Sequence, residues 1–165
     1  MDSECTDGTM LIVDFEERIL PIQYQRRSMR FACARLVTRD VTALAEFYRR
    51  VLRVEPIGSE CYVELPTRGG TLAISSKCSV DIFNAAAAEA AANRSVILDF
   101  QVDDVDGERD RLDDFVGEFV LEPTDQPWGT RSMLFRDPDG NLINFFTTPR
   151  FAKENRDEEK HSGTM

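Results

Sequence analysis

The sequence QPWGTRSMLFRDPDGNLINFF, residues 126–146, decides the fold. Its apolar runs at 131–136 and 141–146 are typical of β-strands, and the segment DPDG at 137–140 lies between them. Because proline fixes φ and glycine accepts a positive φ, this segment predicts a tight turn. The stretch therefore predicts two neighbouring strands joined by a β-turn.

Outward from this hairpin, one arrangement of elements occurs twice. The first copy begins with a strand candidate, FACARLV (31–37), and a helix candidate capped by Asp40, TALAEFYRRVL (42–52). Three short strand candidates complete it: VEPI (54–57), CYVEL (61–65) and TLAIS (71–75). The second copy consists of SVILDFQV (95–102), the helix candidate VDGERDRLDDFV (105–116), EFVLE (118–122) and the two hairpin strands.

This repeat predicts an α+β domain at 29–150, with two strand–helix–strand–strand–strand modules at about 30–80 and 95–149. We expect the two modules to form a cup-shaped mixed sheet, and a cup is by its geometry a ligand site. The Ala-rich segment DIFNAAAAEAAANR, residues 81–94, predicts a helix that joins the modules.

The two ends of the chain lack apolar periodicity. Residues 1–28 predict a partly disordered N-terminal extension, and residues 151–165 a disordered tail. The N-terminal sequence MDSECTDGT is acidic and polar, unlike a secretory signal. We therefore expect a cytoplasmic protein with reduced cysteines. No stretch approaches the about 20 consecutive apolar residues that a membrane helix needs, so no membrane partner is expected.

Charge and histidine content restrict the function further. The net charge is −10, and the segment from Asp99 to Asp125 holds eleven acidic residues against two arginines. Such a segment repels a phosphate backbone, which argues against a nucleic-acid partner, and would attract a cationic ligand. The only histidine is His161, in the tail, so most chemistry based on an imidazole is excluded.

Three stretches resemble the glyoxalase / bleomycin-resistance / extradiol-dioxygenase (vicinal oxygen chelate) superfamily. They are RLVTRDVTALAEFYRRVL (35–52), LDFQVDDVD (98–106) and the hairpin at 126–146. The resemblance covers about residues 30–149 and implies the glyoxalase-like fold. It also implies a homodimer. The superfamily includes lyases, isomerases, epimerases, dioxygenases, fosfomycin-modifying enzymes and drug-binding proteins, so the function depends on the site.

Metal-dependent members of this superfamily place a His, Gln or Glu ligand at four inward positions. In this sequence, the resemblance puts those positions at Cys33, Ala73, Ile97 and Asn144. Alanine and isoleucine bind no ion, an asparagine carbonyl is a weak ligand, and a lone thiolate lacks partners. We therefore predict a member that has lost its metal site and needs no cofactor.

Side chains two residues along each strand share the face of those four positions. They add Arg35, Ser75, Asp99 and Phe146 to the predicted ligand-binding set. Because the repeat makes Arg35 and Asp99 equivalent, we expect them to form a charge pair or to hold a polar ligand. Asp99 is also a weak candidate for a catalytic base. Trp128 is either a lid over the pocket or a packing plug, and the resemblance to bleomycin-resistance proteins favours a role in binding.

The leading interpretation is a metal-independent small-molecule binding protein whose ligand, cationic or aromatic, lies in the cup. The first alternative is an enzyme, either a lyase, isomerase or dioxygenase with a divalent metal on atypical ligands, or an acid–base enzyme that uses Asp99. The second is an interaction module that kept the fold and lost the pocket.

Overall fold

The computed structural model describes residues 31–82 and 87–148, and these contain the predicted module twice. The first module consists of β1 (Cys33–Thr38), α1 (Val41–Leu52), β2 (Ile57–Ser59), β3 (Tyr62–Pro66), β4 (Thr71–Ser76) and a short α2 (Lys77–Asp81). The second consists of β5 (Ile97–Gln101), α3 (Val105–Leu112), β6 (Phe119–Asp125), β7 (Arg131–Arg136) and β8 (Leu142–Thr147).

Each module forms a four-stranded mixed sheet of the same topology. The strand orders are β1-β4-β3-β2 and β5-β8-β7-β6, and in each sheet the first and last strands of the module pair in parallel. The register places Arg35 opposite Ala73 and Asp99 opposite Asn144, so the internal repeat extends to single residues. The α+β class and the two modules are thus confirmed.

The two modules share one hydrophobic core, which lies on the helix-bearing face of each sheet. Asp40 caps α1 as predicted, because its Oδ1 accepts from the amide of Ala43 at 2.9 Å. Six of the twelve side chains of helix α1 are buried, and Tyr48 is fully buried. Its hydroxyl donates to Asp137 Oδ2 in the second module at 2.8 Å. Since apolar residues of both sheets point into this core, the opposite faces of the sheets, which carry Arg35 and Asp99, point away from it.

The hairpin turn at 137–140 forms as predicted. The amide of Gly140 donates to the carbonyl of Asp137 at 2.9 Å, and Gly140 has a φ of 81°. That backbone conformation favours glycine, because a Cβ would crowd the carbonyl. The turn therefore holds β7 and β8 in register.

Two predicted elements are corrected. Residues 87–94 are not helical, and helix α2 ends at Asp81, the first residue of the Ala-rich segment. Asn93 Oδ1 accepts from the amides of Ser95 and Val96, a local turn that outweighs alanine propensity. The strand predicted at 54–57 begins instead at Ile57, since the preceding proline has no N–H to donate to a sheet.

Several predictions fall outside the described residues: those for 1–28, for 83–86 within the Ala-rich segment, and for 151–165. Within the described ranges, no helix is long and apolar enough to cross a membrane.

Candidate functional site

A cavity of about 1070 Å³ lies between the two modules, at the edge strand β5. The hairpin at 66–71 and the C-terminal end of α1 close its other sides. Its walls are largely apolar and include Ala34, Leu72, Leu98, Phe100, Val102 and Phe145. This cavity is partly open to solvent, and its volume is large enough to hold a small molecule.

One rim of the cavity carries a carboxylate–amide pair. Asn144 Nδ2 donates to Asp99 Oδ1 at 2.7 Å, because β5 and β8 place the two residues side by side. Asn144 Oδ1 is buried and accepts no hydrogen bond within the described part of the chain. The amide fixes the orientation of the exposed Asp99 carboxylate. The oriented carboxylate of Asp99 therefore offers an acceptor oxygen, Oδ2, to a group that donates hydrogen bonds.

The opposite end carries an arginine–glutamate cluster. Arg111 Nη1 and Nη2 donate to the carbonyls of Arg50 and Val51, at 2.7 and 2.8 Å, at the end of α1. Arg111 also pairs with Glu108 through Nε and Nη2. A second arginine, Arg53, reaches the same carboxylate, with Nη2 3.2 Å from Oε1. Residues 53, 108 and 111 all line the cavity, as does Arg68 from the hairpin.

The structure brings three of the nine predicted site residues to this cavity: Ile97, Asp99 and Phe146. Asn144 reaches it only through its bond to Asp99. The carboxylate of Asp99 accepts a hydrogen bond from Asn144, and no salt bridge joins it to Arg35. The charge pair expected between Arg35 and Asp99 is therefore not formed, and the alternative that they hold a polar ligand stays a prediction.

The other predicted residues of the first module, Cys33, Arg35, Ala73 and Ser75, lie on the face of its sheet that points away from the hydrophobic core, called the outer face below. Arg35 is exposed there, and Cys33 is half-buried. Ala73 and Ser75 are only 0% and 1% exposed, and Ser75 Oγ has no partner in the described ranges. Glu64 stands on β3, opposite Ala73. This face is separate from the cavity.

Trp128 lies in the turn between β6 and β7, away from the cavity lining. Two backbone hydrogen bonds close the turn. The amide of Gln126 donates to the carbonyl of Thr130, and the amide of Gly129 donates to the carbonyl of Gln126. The indole is 58% exposed, so the interpretation as a packing plug is wrong.

The four positions that would hold a metal do not fit one. Ala73 and Ile97 have no donor atom, and the amide of Asn144 is engaged with Asp99. Cys33 alone cannot make a tight site. Within residues 31–82 and 87–148, no three His, Cys, Asp or Glu side chains converge as a metal would require.

Sequence reasoning missed the arginine end of the cavity. Arg53 follows α1 in a left-handed conformation, with φ 54° and ψ 39°, where glycine is the usual residue. A non-glycine residue just after a predicted helix is a weak signal. The place of Arg53 in the cavity depends on its tertiary contact with Glu108, and the sequence around residue 53 does not predict that contact.

Comparison with known proteins agrees with this architecture. Residues 30–145 match the family model of the Glyoxalase/Bleomycin resistance protein/Dioxygenase superfamily. No curated protein matches the chain.

Solved structures share the fold. A glyoxalase/bleomycin resistance protein/dioxygenase from Nocardioides is 25% identical, with 72% of this chain and 83% of that chain covered and a TM-score of 0.61. A protein of unknown function from Agrobacterium tumefaciens is 26% identical, with 74% and 96% covered and a TM-score of 0.64. A family enzyme from Burkholderia phytofirmans, with 70% and 96% covered and a TM-score of 0.64, is 18% identical and shows the fold alone.

Proposed function

Because the chain belongs to the glyoxalase/bleomycin resistance protein/dioxygenase superfamily, we propose that it binds a small molecule without a metal ion. The apolar or aromatic body of the ligand lies in the cavity beside β5. Its amino group, or another cationic donor, meets the carboxylate of Asp99.

The observation that carries this proposal is the Asp99–Asn144 pair at the rim of an apolar cavity. Asn144 Nδ2 donates to Oδ1 of the carboxylate at 2.7 Å and fixes its orientation. This bond leaves the second oxygen of the exposed carboxylate, Asp99 Oδ2, for a hydrogen-bond donor of the ligand. The pair therefore favours a ligand that brings N–H groups to this edge.

Binding is favoured over catalysis by the residues around Asp99. The neighbouring side chains at the rim, Ile97 and Phe146, are apolar. Asp99 is exposed, and its partner is a neutral amide that can neither give up nor take a proton at ordinary pH. General acid–base catalysis needs a second titrating or polarising group within reach of the substrate. We therefore assign Asp99 the role of an anchor for the ligand.

Three fluorescent probes with the same apolar body test the proposal: dansylamide, which is neutral, dansylcadaverine, which carries an ammonium group, and dansylglycine, which carries a carboxylate. The first two are titrated into chelator-treated protein. We expect both probes to bind, and dansylcadaverine to bind more tightly because its ammonium group pairs with the Asp99 carboxylate. The gain in affinity should be only roughly three- to tenfold, because an ion pair at an exposed carboxylate contributes less than a buried one.

The variant Asp99→Asn should reduce this preference to near unity. The matched control Asp114→Asn, at an exposed acidic residue outside the cavity, should keep it. If neither probe binds, the cavity is not a ligand site. If both bind with equal affinity to the natural protein and to Asp99→Asn, the cavity binds ligands but Asp99 is not the anchor.

The family resemblance also predicts a homodimer, and we propose that the outer faces of the sheets take part in it. Ile57 and Ile97 are exposed by 65% and 49% at these faces. Covering such side chains with a second copy would remove apolar surface from water. Sedimentation equilibrium measures the mass directly, and a monomer at all concentrations would contradict this proposal.

A further inference from the structure

We propose that the ligand of this cavity also carries an anionic group, held between Arg53 and Arg68. This inference rests on the proposed function of the same cavity and specifies its ligand class. The ligand would be amphoteric, with an amine near Asp99, an apolar body along β5, and a carboxylate or a similar acid at the arginine end.

The charges at this end do not cancel. Among the described residues, the ion pairs of Arg53 and Arg111 both go to Glu108, and Arg111 binds it through two nitrogens. Arg111 further donates to two carbonyls of α1, so its hydrogen bonds are largely used. In residues 31–82 and 87–148, the ion pair of Arg53 is one contact, at 3.2 Å, to this carboxylate, which Arg111 already neutralises. Apart from Asp99 at the other rim, the cavity lining holds three arginines, Arg53, Arg68 and Arg111, against two carboxylates, Asp103 and Glu108. This part of the lining therefore carries one positive charge in excess.

The backbone of Arg53 gives an independent reason. This residue ends α1 with a φ of 54°, a conformation that crowds the Cβ of any residue except glycine. Strained residues of this kind are found where the side chain serves a site. The Arg53 side chain reaches the cavity and contributes only a weak ion pair, so stability alone gives little reason for it.

Arg68 supplies a second guanidinium to the lining of the same cavity. It lies in the hairpin between β3 and β4, which is closed by two bonds from Thr67, its amide and Oγ1, to the carbonyl of Gly70, at 2.9 and 2.6 Å. The described residues give Arg68 no hydrogen bond or ion pair. Its charge therefore stays available at the end of a well-defined turn.

Two guanidinium groups suit a carboxylate, which they can hold with paired N–H donors. The net charge of −10 repels anions from the protein as a whole, so an acidic ligand depends on such a local cationic end. The cavity thus carries a negative charge at the Asp99 rim and positive charges at the end that holds Arg53 and Arg68.

The test compares dansylglycine with dansylamide on the full chain. We expect dansylglycine to bind roughly three- to tenfold more tightly, with a ratio that falls as salt is added. Arg68→Gln and Arg53→Gly should each lower the ratio. Arg53→Gly also relieves the left-handed strain, so it should be at least as resistant to unfolding as the natural protein. The control Arg39→Gln removes an exposed arginine outside the cavity and should keep the ratio.

The outcomes separate this inference from the proposed function. The anion-binding subsite is refuted if dansylglycine binds no more tightly than dansylamide. It is also refuted if the tighter binding of dansylglycine persists in both Arg68→Gln and Arg53→Gly. In either case, binding of dansylamide would still support the apolar cavity. If neither probe binds, the proposed function fails and the subsite fails with it. A loss of the ratio in Arg53→Gly without loss of stability would support the subsite, because it excludes unfolding as the cause.

Discussion

The substitution Asp137→Asn is expected to destabilise the contact between the two modules strongly. Four donors converge on this buried carboxylate. Oδ1 accepts from the amides of Asp139 and Asn141 at 3.0 and 2.8 Å. Oδ2 accepts from Tyr48 Oη and Asn141 Nδ2 at 2.8 and 2.7 Å. Asparagine replaces one of these oxygens with an NH₂ group, which cannot accept.

The magnitude follows from the number of bonds lost. Two donors would face a donor in the variant, and hydrogen bonds to a charged group contribute about 1.5–3 kcal/mol each. The variant also removes a buried charge, which returns part of that loss. We expect a decrease in the free energy of unfolding of roughly 2–4 kcal/mol, a large part of the total for a domain of this size.

Urea unfolding at neutral pH measures this change. Tyr48→Phe removes one donor and keeps the ring, so it should cost less than Asp137→Asn. Asp114→Asn, at an exposed acid, should change the free energy of unfolding by less than about 0.5 kcal/mol. A cost for Asp137→Asn below that of Tyr48→Phe would refute the reasoning, because the four-donor geometry would then not determine the stability.

The loss of stability in Asp137→Asn should depend on pH, because Asp137 of the natural protein titrates and the asparagine does not. Burial, more than any other cause, acts on Asp137, and it raises the pKa of this carboxyl above its ordinary value. The folded state then binds the proton more tightly than the unfolded state. The resulting stabilisation is complete below the unfolded pKa of about 3.9 and is lost as pH rises through the folded pKa. The difference in free energy of unfolding between the natural protein and Asp137→Asn should therefore decrease as pH rises from about 3.9 through the raised pKa of the folded state.

Three further predictions concern the module contact, a tight turn and metals. Arg111→Lys cannot keep the forked bonds to the end of α1, including the one to Val51, and should cost about 1–3 kcal/mol in urea unfolding. Gly58→Ala should destabilise clearly, because its Cβ would lie 2.1 Å from the carbonyl oxygen of Tyr62, whereas Gly117→Ala has open space and should be nearly neutral. Added Ni²⁺, Zn²⁺, Mn²⁺ or Fe²⁺ should not raise the midpoint of thermal unfolding, and a rise with saturation would reveal a specific metal site.

Much of the fold could be predicted because its signals are local. The cap at Asp40 and the turn at 137–140 depend on a few adjacent residues, and the repeat was visible as a spacing. The helix expected at 81–94 shows the limit of such signals. There the side chain of Asn93 bonds to nearby amides, and Ala91 adopts a positive φ of 56°, which propensity alone does not reveal.

The candidate site was predicted less completely, because it lies between elements distant in the sequence. Strand alternation placed Asp99 and Asn144 correctly on one face, and the structure joins them directly. The same reasoning expected Asp99 and Arg35, as equivalent residues of the two modules, to form a charge pair or to hold a polar ligand. The cavity instead forms where β5 faces the end of α1 and a distant hairpin. Its arginine end, at Arg53 and Arg68, follows from the way the two modules pack.

The most direct test is a map of amide chemical shifts of isotope-labelled, chelator-treated protein during titration with dansylcadaverine. Metal-independent binding in the cavity predicts saturable shifts in β5 (Ile97–Gln101), at the end of α1 near Arg53, and in the hairpin at 66–71. An absence of shifts, or shifts confined to the turn around Trp128 or to the outer face around Arg35, would contradict it.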